Sequence, residues 1–248
     1  MTAAPRIGAV LPVYNGAGML PQAIASLRAE LGAADEIVVV DDGSTDATAD
    51  VARRLADAAG TPLRLLQTPN RGPAAARNTG VAALRASYVA FLDVDDEWSP
   101  GRTDILLRRM QAPRGCDAVF GKTRTVAVDR DDPLWGRLFD TPEPTAAALV
   151  GAGLYRRDAF ARIGGFDEAL RFGEDMDWFL RALEARLSVV FLDHVVLDYR
   201  LHAANMTRDR AAVNRSIATV LSRSVARRRR AGDMRPLPQP SDLLEMVE

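Results

Sequence analysis

Apolar and polar positions fall into regular blocks through the first hundred residues. Ile7 to Val13 is a short apolar run closed by Tyr14-Asn15-Gly16, which predicts a buried strand and a turn. Leu20, Ile24, Leu27 and Leu31 then recur at helical spacing and form one apolar face. Glu36 to Val40 is a second strand, stopped by Asp41-Asp42-Gly43, with Ser44 or Thr45 placed to cap a helix whose inner face is Val51, Leu55 and Ala58. Leu63 to Gln67 predicts a third strand, Ala74 to Arg85 a helix after Gly72-Pro73, and Tyr88 to Leu92 a fourth strand running into Asp93-Val94-Asp95-Asp96. Strands and helices alternating at this pitch predict an α/β fold: one Rossmann-like, mostly parallel sheet flanked by helices.

The second half is less regular. Asp117 to Phe120 and Thr123 to Val128 read as two strands, Arg130 to Pro144 as a loop containing Trp135, and Leu149 to Tyr155 as another strand. Gly164-Gly165-Phe166-Asp167 makes a turn before a helix starting near Glu174, with Met176, Phe179, Leu180, Leu183 and Leu187 on one face. Val189 to Leu192 and Val195 to Tyr199 are short strands. Beyond His202, Val213, Ile217, Val220 or Leu221, and Val225 are spaced for a helix whose end Arg223 and Arg227 to Arg230 make basic. The Pro236 to Pro240 stretch reads as a loose tail. The organisation expected is one α/β domain over 1–207, with a basic amphipathic helix and Pro-rich tail over 208–248.

Composition narrows the function classes. The 32 basic and 33 acidic side chains nearly cancel, which argues against a globally basic nucleic-acid binder. The single cysteine, Cys116, excludes an internal disulfide and a thiolate zinc cluster. Met1 to Arg6 lacks the pattern of a secretory signal and no apolar run reaches the roughly 20 residues of a membrane span. A cytoplasmic location follows as the expectation. The basic C-terminal helix leaves two options: a solvated, packed or dimerising helix, or a peripheral contact with an anionic membrane.

Position gives the polar clusters their meaning. Tyr14-Asn15, Asp41-Asp42 and Asp93 to Asp96 all follow the C-terminal ends of strands, the edge where open α/β sheets bind ligands. A single such cluster is explained by turn formation; three on one edge point to a site. Crowded carboxylates at Asp93, Asp95 and Asp96 repel one another unless a cation lies among them, and hard oxygen donors in small number suit Mg²⁺ or Mn²⁺.

These motifs, in order, resemble the inverting family-2 glycosyltransferases: Leu11-Pro12-Val13-Tyr14-Asn15, Val38 to Asp46, Asn70-Arg71-Gly72 with Ala76-Arg77-Asn78-Thr79-Gly80, and Phe91 to Asp96. The resemblance continues through Gly164 to Asp167 and Gly173-Glu174-Asp175-Met176-Asp177 to Tyr199-Arg200-Leu201-His202, covering residues 7 to about 207. It implies a GT-A fold and metal-dependent transfer of a sugar from a nucleotide-diphosphate donor, expected to be a UDP-sugar, to a hydroxyl acceptor. Residues 1 to about 115 would form the donor half and about 116 to 205 the acceptor half.

By the same resemblance Pro12, Val13 and Tyr14 line the base and ribose pocket, Asp42 accepts from the nucleobase beside Asp41, and Arg71 meets base or phosphates. Asp93, Val94 and Asp95 hold ribose and metal, Asp95, Asp96 and His202 are the metal residues, and Asp175 of the Glu174-Asp175 pair is the general base. One of Arg71 and Arg77 is expected to face phosphate. Asp175, in a first helical turn, is expected to be kept ionised by the helix dipole. Trp135 and Trp178 are read mainly as packing residues.

Three rivals carry less. A dinucleotide oxidoreductase needs Gly-x-Gly-x-x-Gly after the first strand, and Gly16-Ala17-Gly18 is followed by Pro21 where the last glycine belongs. A nucleotidyltransferase looks for a glycine-rich basic loop there, and Pro12 to Asn15 is not one. A non-catalytic sugar-nucleotide-binding module could dispense with Asp175, which is present.

Overall fold

The computed structural model describes residues 6–58, 60–128, 143–202, 205 and 209–245. Strands β1 (Ile7–Val13), β2 (Glu36–Asp41), β3 (Leu63–Gln67) and β4 (Tyr88–Phe91) are joined by helices α1 (Leu20–Glu30), α2 (Thr48–Ala56) and α3 (Pro73–Ala83). There follow β5 (Glu97–Trp98), α4 (Arg102–Met110), β6 (Ala118–Ala127), β7 (Thr145–Ala146), β8 (Gly153–Arg156) and α5 (Arg157–Ile163). The chain closes with α6 (Glu174–Glu184), β9 (Val189–Leu201), α7 (Arg210–Arg230) and β10 (Leu244–Glu245).

All strands among the described residues belong to one sheet, whose main path runs β10-β9-β6-β8-β4-β1-β2-β3. β4, β1, β2 and β3 are parallel, as are β6, β9 and β10, while β8 lies antiparallel between β4 and β6. Successive residues of the central strands serve opposite faces. Ile7, Ala9, Leu11 and Val13 pack with α1 and α4 on one side, and Val10, Val38 and Val40 pack with α3, α5 and α6 on the other. A strand covered on both faces has no polar position to spare, which is why β1 and β2 read as unbroken apolar runs. The second face carries an aromatic cluster in which Trp178 meets Tyr155 edge-on at 5.1 Å and Phe120 stacks on Phe191 at 5.0 Å.

Several expectations change. The two strands expected between Asp117 and Val128 are one, β6, and Val189 to Tyr199 merges into β9; the register between them shifts at Phe120 to Thr123, where β9 carries extra residues. Ser44 and Thr45 do not cap α2, which starts at Thr48 with no side-chain cap. Its buried residues are Thr48 and Ala52, with Val51 and Leu55 packed at the margin and Ala58 exposed beyond the helix end. Leu149 to Tyr155 is a 3₁₀ turn at Val150–Ala152 followed by β8. On α6 the buried residues are Glu174, Asp177, Trp178, Phe179 and Ala182, so the inner face is more polar than its apolar spacing suggested. The Pro-rich segment is no loose tail: it returns to add β10 to the sheet edge, where Glu245 pairs with Arg109 at 2.6 Å. Trp178 is 1% exposed and is a packing residue; residues 130–142 of the expected loop, Trp135 included, lie outside the described residues.

Helix α4 buries Leu106, Leu107 and Met110 on its inner face and is anchored at its start by an arginine. The Arg102 guanidinium is buried 3.9 Å over the Trp98 ring and donates to the carbonyls of Gly151 and Gly153, and burial pushes its pKa down to about 9. No helix among the described residues is long and apolar enough to cross a membrane.

Close packing of α3 on β1 depends on Gly80, where an added Cβ would sit 2.2 Å from Val10 Cγ1. In an open helix Gly→Ala gains about 1 kcal/mol, but overpacking a fitted core costs about 1–3 kcal/mol. Gly80→Ala is therefore expected to lower the urea midpoint; a raised midpoint would show that α3 does not press on β1.

Candidate functional site

The first wall of the site is built by loops that fasten one another. Asn15 follows β1 with φ 51°, and its Oδ1 accepts from the Thr45 amide at 2.8 Å while its own amide donates to Ser44 Oγ at 2.8 Å. The Gly16 amide donates to Thr48 Oγ1 at 2.9 Å. Ser44, Thr45 and Thr48 thus hold the turn after β1, with Tyr14 51% exposed at the sheet edge beside Pro12 and Val13. The Asp41 carboxylate is buried and accepts from the Ser44 amide at 2.9 Å.

Asp42 is also buried, and its oxygens accept from the backbone amides of Arg71 (3.0 Å) and Gly72 (2.7 Å). Its visible work is to hold the β3–α3 loop against β2. Gly43 permits that approach: with φ 76°, a Cβ there would lie 2.8 Å from the Asn70 nitrogen. The loop leaves the Arg71 guanidinium largely exposed and paired with Glu168, which also accepts from Asn78 Nδ2 at 3.1 Å. Asn78 in turn exchanges hydrogen bonds with the Phe166 backbone at 2.8 and 2.9 Å.

Arg77 occupies the centre. It is 4% exposed and donates to Asp93 at 2.6 Å and to Glu174 at 2.5 Å, so α3 joins the end of β4 to the start of α6. Burial disfavours its charge, but Asp93 and Glu174 outweigh burial and hold the guanidinium firmly protonated. Of the two arginines, Arg71 is the exposed one; Arg77 is committed to carboxylates.

Asp175 lies next to this pair on the first turn of α6. Burial, then the Glu174 charge, push its pKa up to about 6, against the opposing pull of Arg77 and a 2.7 Å bond from the Met176 amide. Desolvation and a like charge outweigh any lowering by the helix dipole, so Asp175 is a stronger base than a free carboxylate, and with a pKa of about 6 it is still mostly ionised at pH 7.

At the end of β4, Asp95 Oδ2 lies 3.1 Å from His202 Nε2 and accepts from Asn205 Nδ2 at 3.2 Å. Burial and the neighbouring Asp93 raise the Asp95 pKa. Asp96 is raised further, by burial and then by Asp95 and Asp93, and its Oδ1 accepts from the Arg200 amide at 2.9 Å. Asp96 thereby ties β9 to the β4 loop. Among the described residues no three acidic, His or Cys side chains converge as a closed metal cluster. The donor set nevertheless fits a hard divalent ion: a carboxylate and an imidazole in contact, within a group of carboxylates that burial forces toward protonation.

The structure thus gathers Pro12, Val13, Tyr14, Asp41, Asp42, Arg71, Arg77, Asp93, Val94, Asp95, Asp96, Glu174, Asp175 and His202 at one end of the sheet. Sequence reasoning gave no role to Asn78, Glu168 or Asn205. Asn78 lay inside a recognised motif and Asn205 three residues past His202, but only their partners reveal what they do.

With this geometry in place, comparisons identify the class. A family model described as "Glycosyl transferase family 2" matches residues 9–164, and the chain belongs to that family. It is 35% identical over 195 residues to the succinoglycan biosynthesis protein ExoU of Rhizobium meliloti, covering 70% of this chain and 56% of that protein. The chain therefore spans little more than half the length of that relative. Among solved structures, S. aureus TarS in complex with UDP-GlcNAc superposes with TM-score 0.66 at 20% identity, over 82% of this chain and 61% of TarS. The mannosyltransferase PcManGT from Pyrobaculum calidifontis, in complex with GDP-Man and Mn²⁺, superposes with TM-score 0.72 at 20% identity, over 97% of this chain and 68% of that one. The fold is GT-A.

Removing the central cation strands three carboxylates. Arg77→Met is expected to cost about 3–5 kcal/mol of stability and to raise the Asp175 pKa above about 6, read by denaturant unfolding and carboxyl ¹³C titration. A titration unmoved by the change would mean that Arg77 does not act on Asp175.

Proposed function

We propose that this chain transfers a sugar from a nucleoside-diphosphate donor to a hydroxyl acceptor, with inversion at the anomeric carbon and Asp175 as general base. The observation that carries this reading is the Asp175 carboxyl, poised at about 6 beside the Arg77–Glu174 pair, on the same sheet edge as the Asp93 to Asp96 cluster. Family membership and two GT-A neighbours with bound sugar nucleotides support it.

In this reading Pro12, Val13 and Tyr14 with the Asp41-Asp42 wall form the nucleobase side, and the exposed Arg71 meets the donor's phosphates in exchange for Glu168. Asp95, Asp96 and His202 would hold Mg²⁺ or Mn²⁺, which when bound neutralises charge developing on the diphosphate oxygens. Asp96 also positions β9 beneath them. Asp175 takes the acceptor hydroxyl proton as its oxygen attacks the anomeric carbon and the bond to the diphosphate breaks on the opposite side. Glu174 serves through Arg77 and through its charge, which keeps Asp175 basic. Residues 1 to about 115 supply the donor side and about 116 to 205 the acceptor side. A cytoplasmic site of action fits a nucleotide-sugar substrate.

Two measurements test the reading. UDP-GlcNAc or GDP-mannose is expected to bind more tightly with Mn²⁺ than without it in calorimetry; equal binding with and without metal by both would sink the donor site. Turnover should rise with pH through about 6 and level off above, because only the ionised carboxylate accepts a proton. Asp175→Asn is expected to reduce it by ~10²–10⁴-fold with donor affinity retained. A non-catalytic binding module would show metal-dependent binding with no turnover to lose.

A further inference from the structure

Helix α7 lies outside the residues matched by the family model, yet its inner face is fitted to the helix that carries Asp175. Val220 is fully buried, with its Cγ2 close to Gly173, the residue before α6. Ser216 Oγ donates to the Phe172 carbonyl, and Ser224 Oγ donates to Glu184 at 2.6 Å. Arg223 pairs with Asp167. Arg227 bonds Glu184 through Nε at 2.7 Å and Asp177 through Nη1 at 2.9 Å. Two of the arginines that made this helix a candidate for an anionic surface are therefore committed to acids of the body.

Asp177 is the informative partner. Its side chain is 3% exposed, and it accepts from Arg181 Nε at 2.7 Å as well as from Arg227. Arg181 extends on to the carbonyls of Ile163 and Gly165, both at 2.7 Å. A buried carboxylate that loses a cationic partner carries a large penalty and moves toward water if it can. Asp177 cannot move alone: its amide makes the first bond of α6, to the Gly173 carbonyl at 2.9 Å, across the turn that contains Asp175.

We propose that Arg227 is a positioning residue: paired with Asp177, it fixes the first turn of α6 and so aims Asp175 at the acceptor. This rests on Asp175 being the base. The turn is then held from both sides, by Arg77 gripping Glu174 from α3 and by Arg227 gripping Asp177 from α7. A misplacement of about 1 Å can cost ~10²-fold in rate, so small movements of this turn matter more for turnover than for folding.

The test uses the full chain with Arg227→Met, Arg227→Lys, Asp175→Asn and, as a control on the outer face, Arg229→Ala. Hydrogen exchange needs no substrate: Arg227→Met is expected to speed exchange in residues 173–178 and leave residues 7–13 as in wild type. Unchanged exchange in 173–178 overturns the proposal. Release of nucleoside diphosphate from UDP-GlcNAc or GDP-mannose with Mn²⁺ should fall ~10–100-fold in kcat, with donor Kd and binding stoichiometry retained by calorimetry. Arg227→Lys should recover much of the loss, and Arg229→Ala should match wild type. Loss of donor binding together with turnover would indicate general unfolding and also overturns the proposal. If Asp175→Asn is inactive while Arg227→Met turns over normally, positioning is disproved. If Asp175→Asn is fully active, the base assignment fails instead, and exchange alone then decides whether α7 braces the turn.

Discussion

A single buried cation governs the arrangement of this site. Arg77 reaches from α3 into a space bounded by Asp93 after β4 and Glu174 at the start of α6, and it is almost without solvent. A guanidinium there is tolerated only because carboxylates surround it, and the carboxylates are tolerated only because it is there. Three segments distant in the chain are thereby required to meet at one point. Asp93, Glu174 and Asp175 share one guanidinium, and burial, followed by the charge of Glu174, raises Asp175 to about 6. Asp93 and Glu174 pair with Arg77, whereas the Asp175 carboxyl accepts from the Met176 amide.

The surrounding loops obey the same logic at lower cost. Backbone amides after β1, β2 and β3 are satisfied by side chains of neighbouring loops: Asn15 with Thr45, Ser44 with Asn15, Asp42 with Arg71 and Gly72. Residues that resemble ligand contacts in the sequence thus do structural work, and a carboxylate such as Asp42 has several acceptor positions with which to do it. Ion pairs tie the far end of the sheet as well, where Glu245 of β10 holds Arg109 and α7 lays its arginines on α6.

The alternating first half was legible because parallel strands covered on both faces must be apolar throughout, and the helices between them need a single stripe. The second half was harder to read for definite reasons. Extra residues in β9 shift its register against β6 around Phe120 to Thr123, where the apolar pattern of both strands breaks, so each looked like two short ones. Helix α4 adds to its buried Leu106, Leu107 and Met110 an arginine buried over Trp98 at its first residue, which no apolar spacing announces. On α6, Glu174 and Asp177 are buried because cations from other elements meet them, and no spacing rule along the helix can announce that.

By itself the sequence determined the α/β class, the edge of the sheet where polar residues collect, and the family, since each depends on residue type and order along the chain. Only the tertiary structure decided how the charges are shared. It committed Arg77 to Asp93 and Glu174, left Arg71 at the surface, turned Arg227 inward against α6, and paired Arg223 with Asp167 ahead of that helix. It also raised the pKa of Asp175 against the helix dipole, because the field at a carboxylate is summed over neighbours in space. The near-equal totals of acids and bases in the chain say nothing about those neighbours; burial and pairing do.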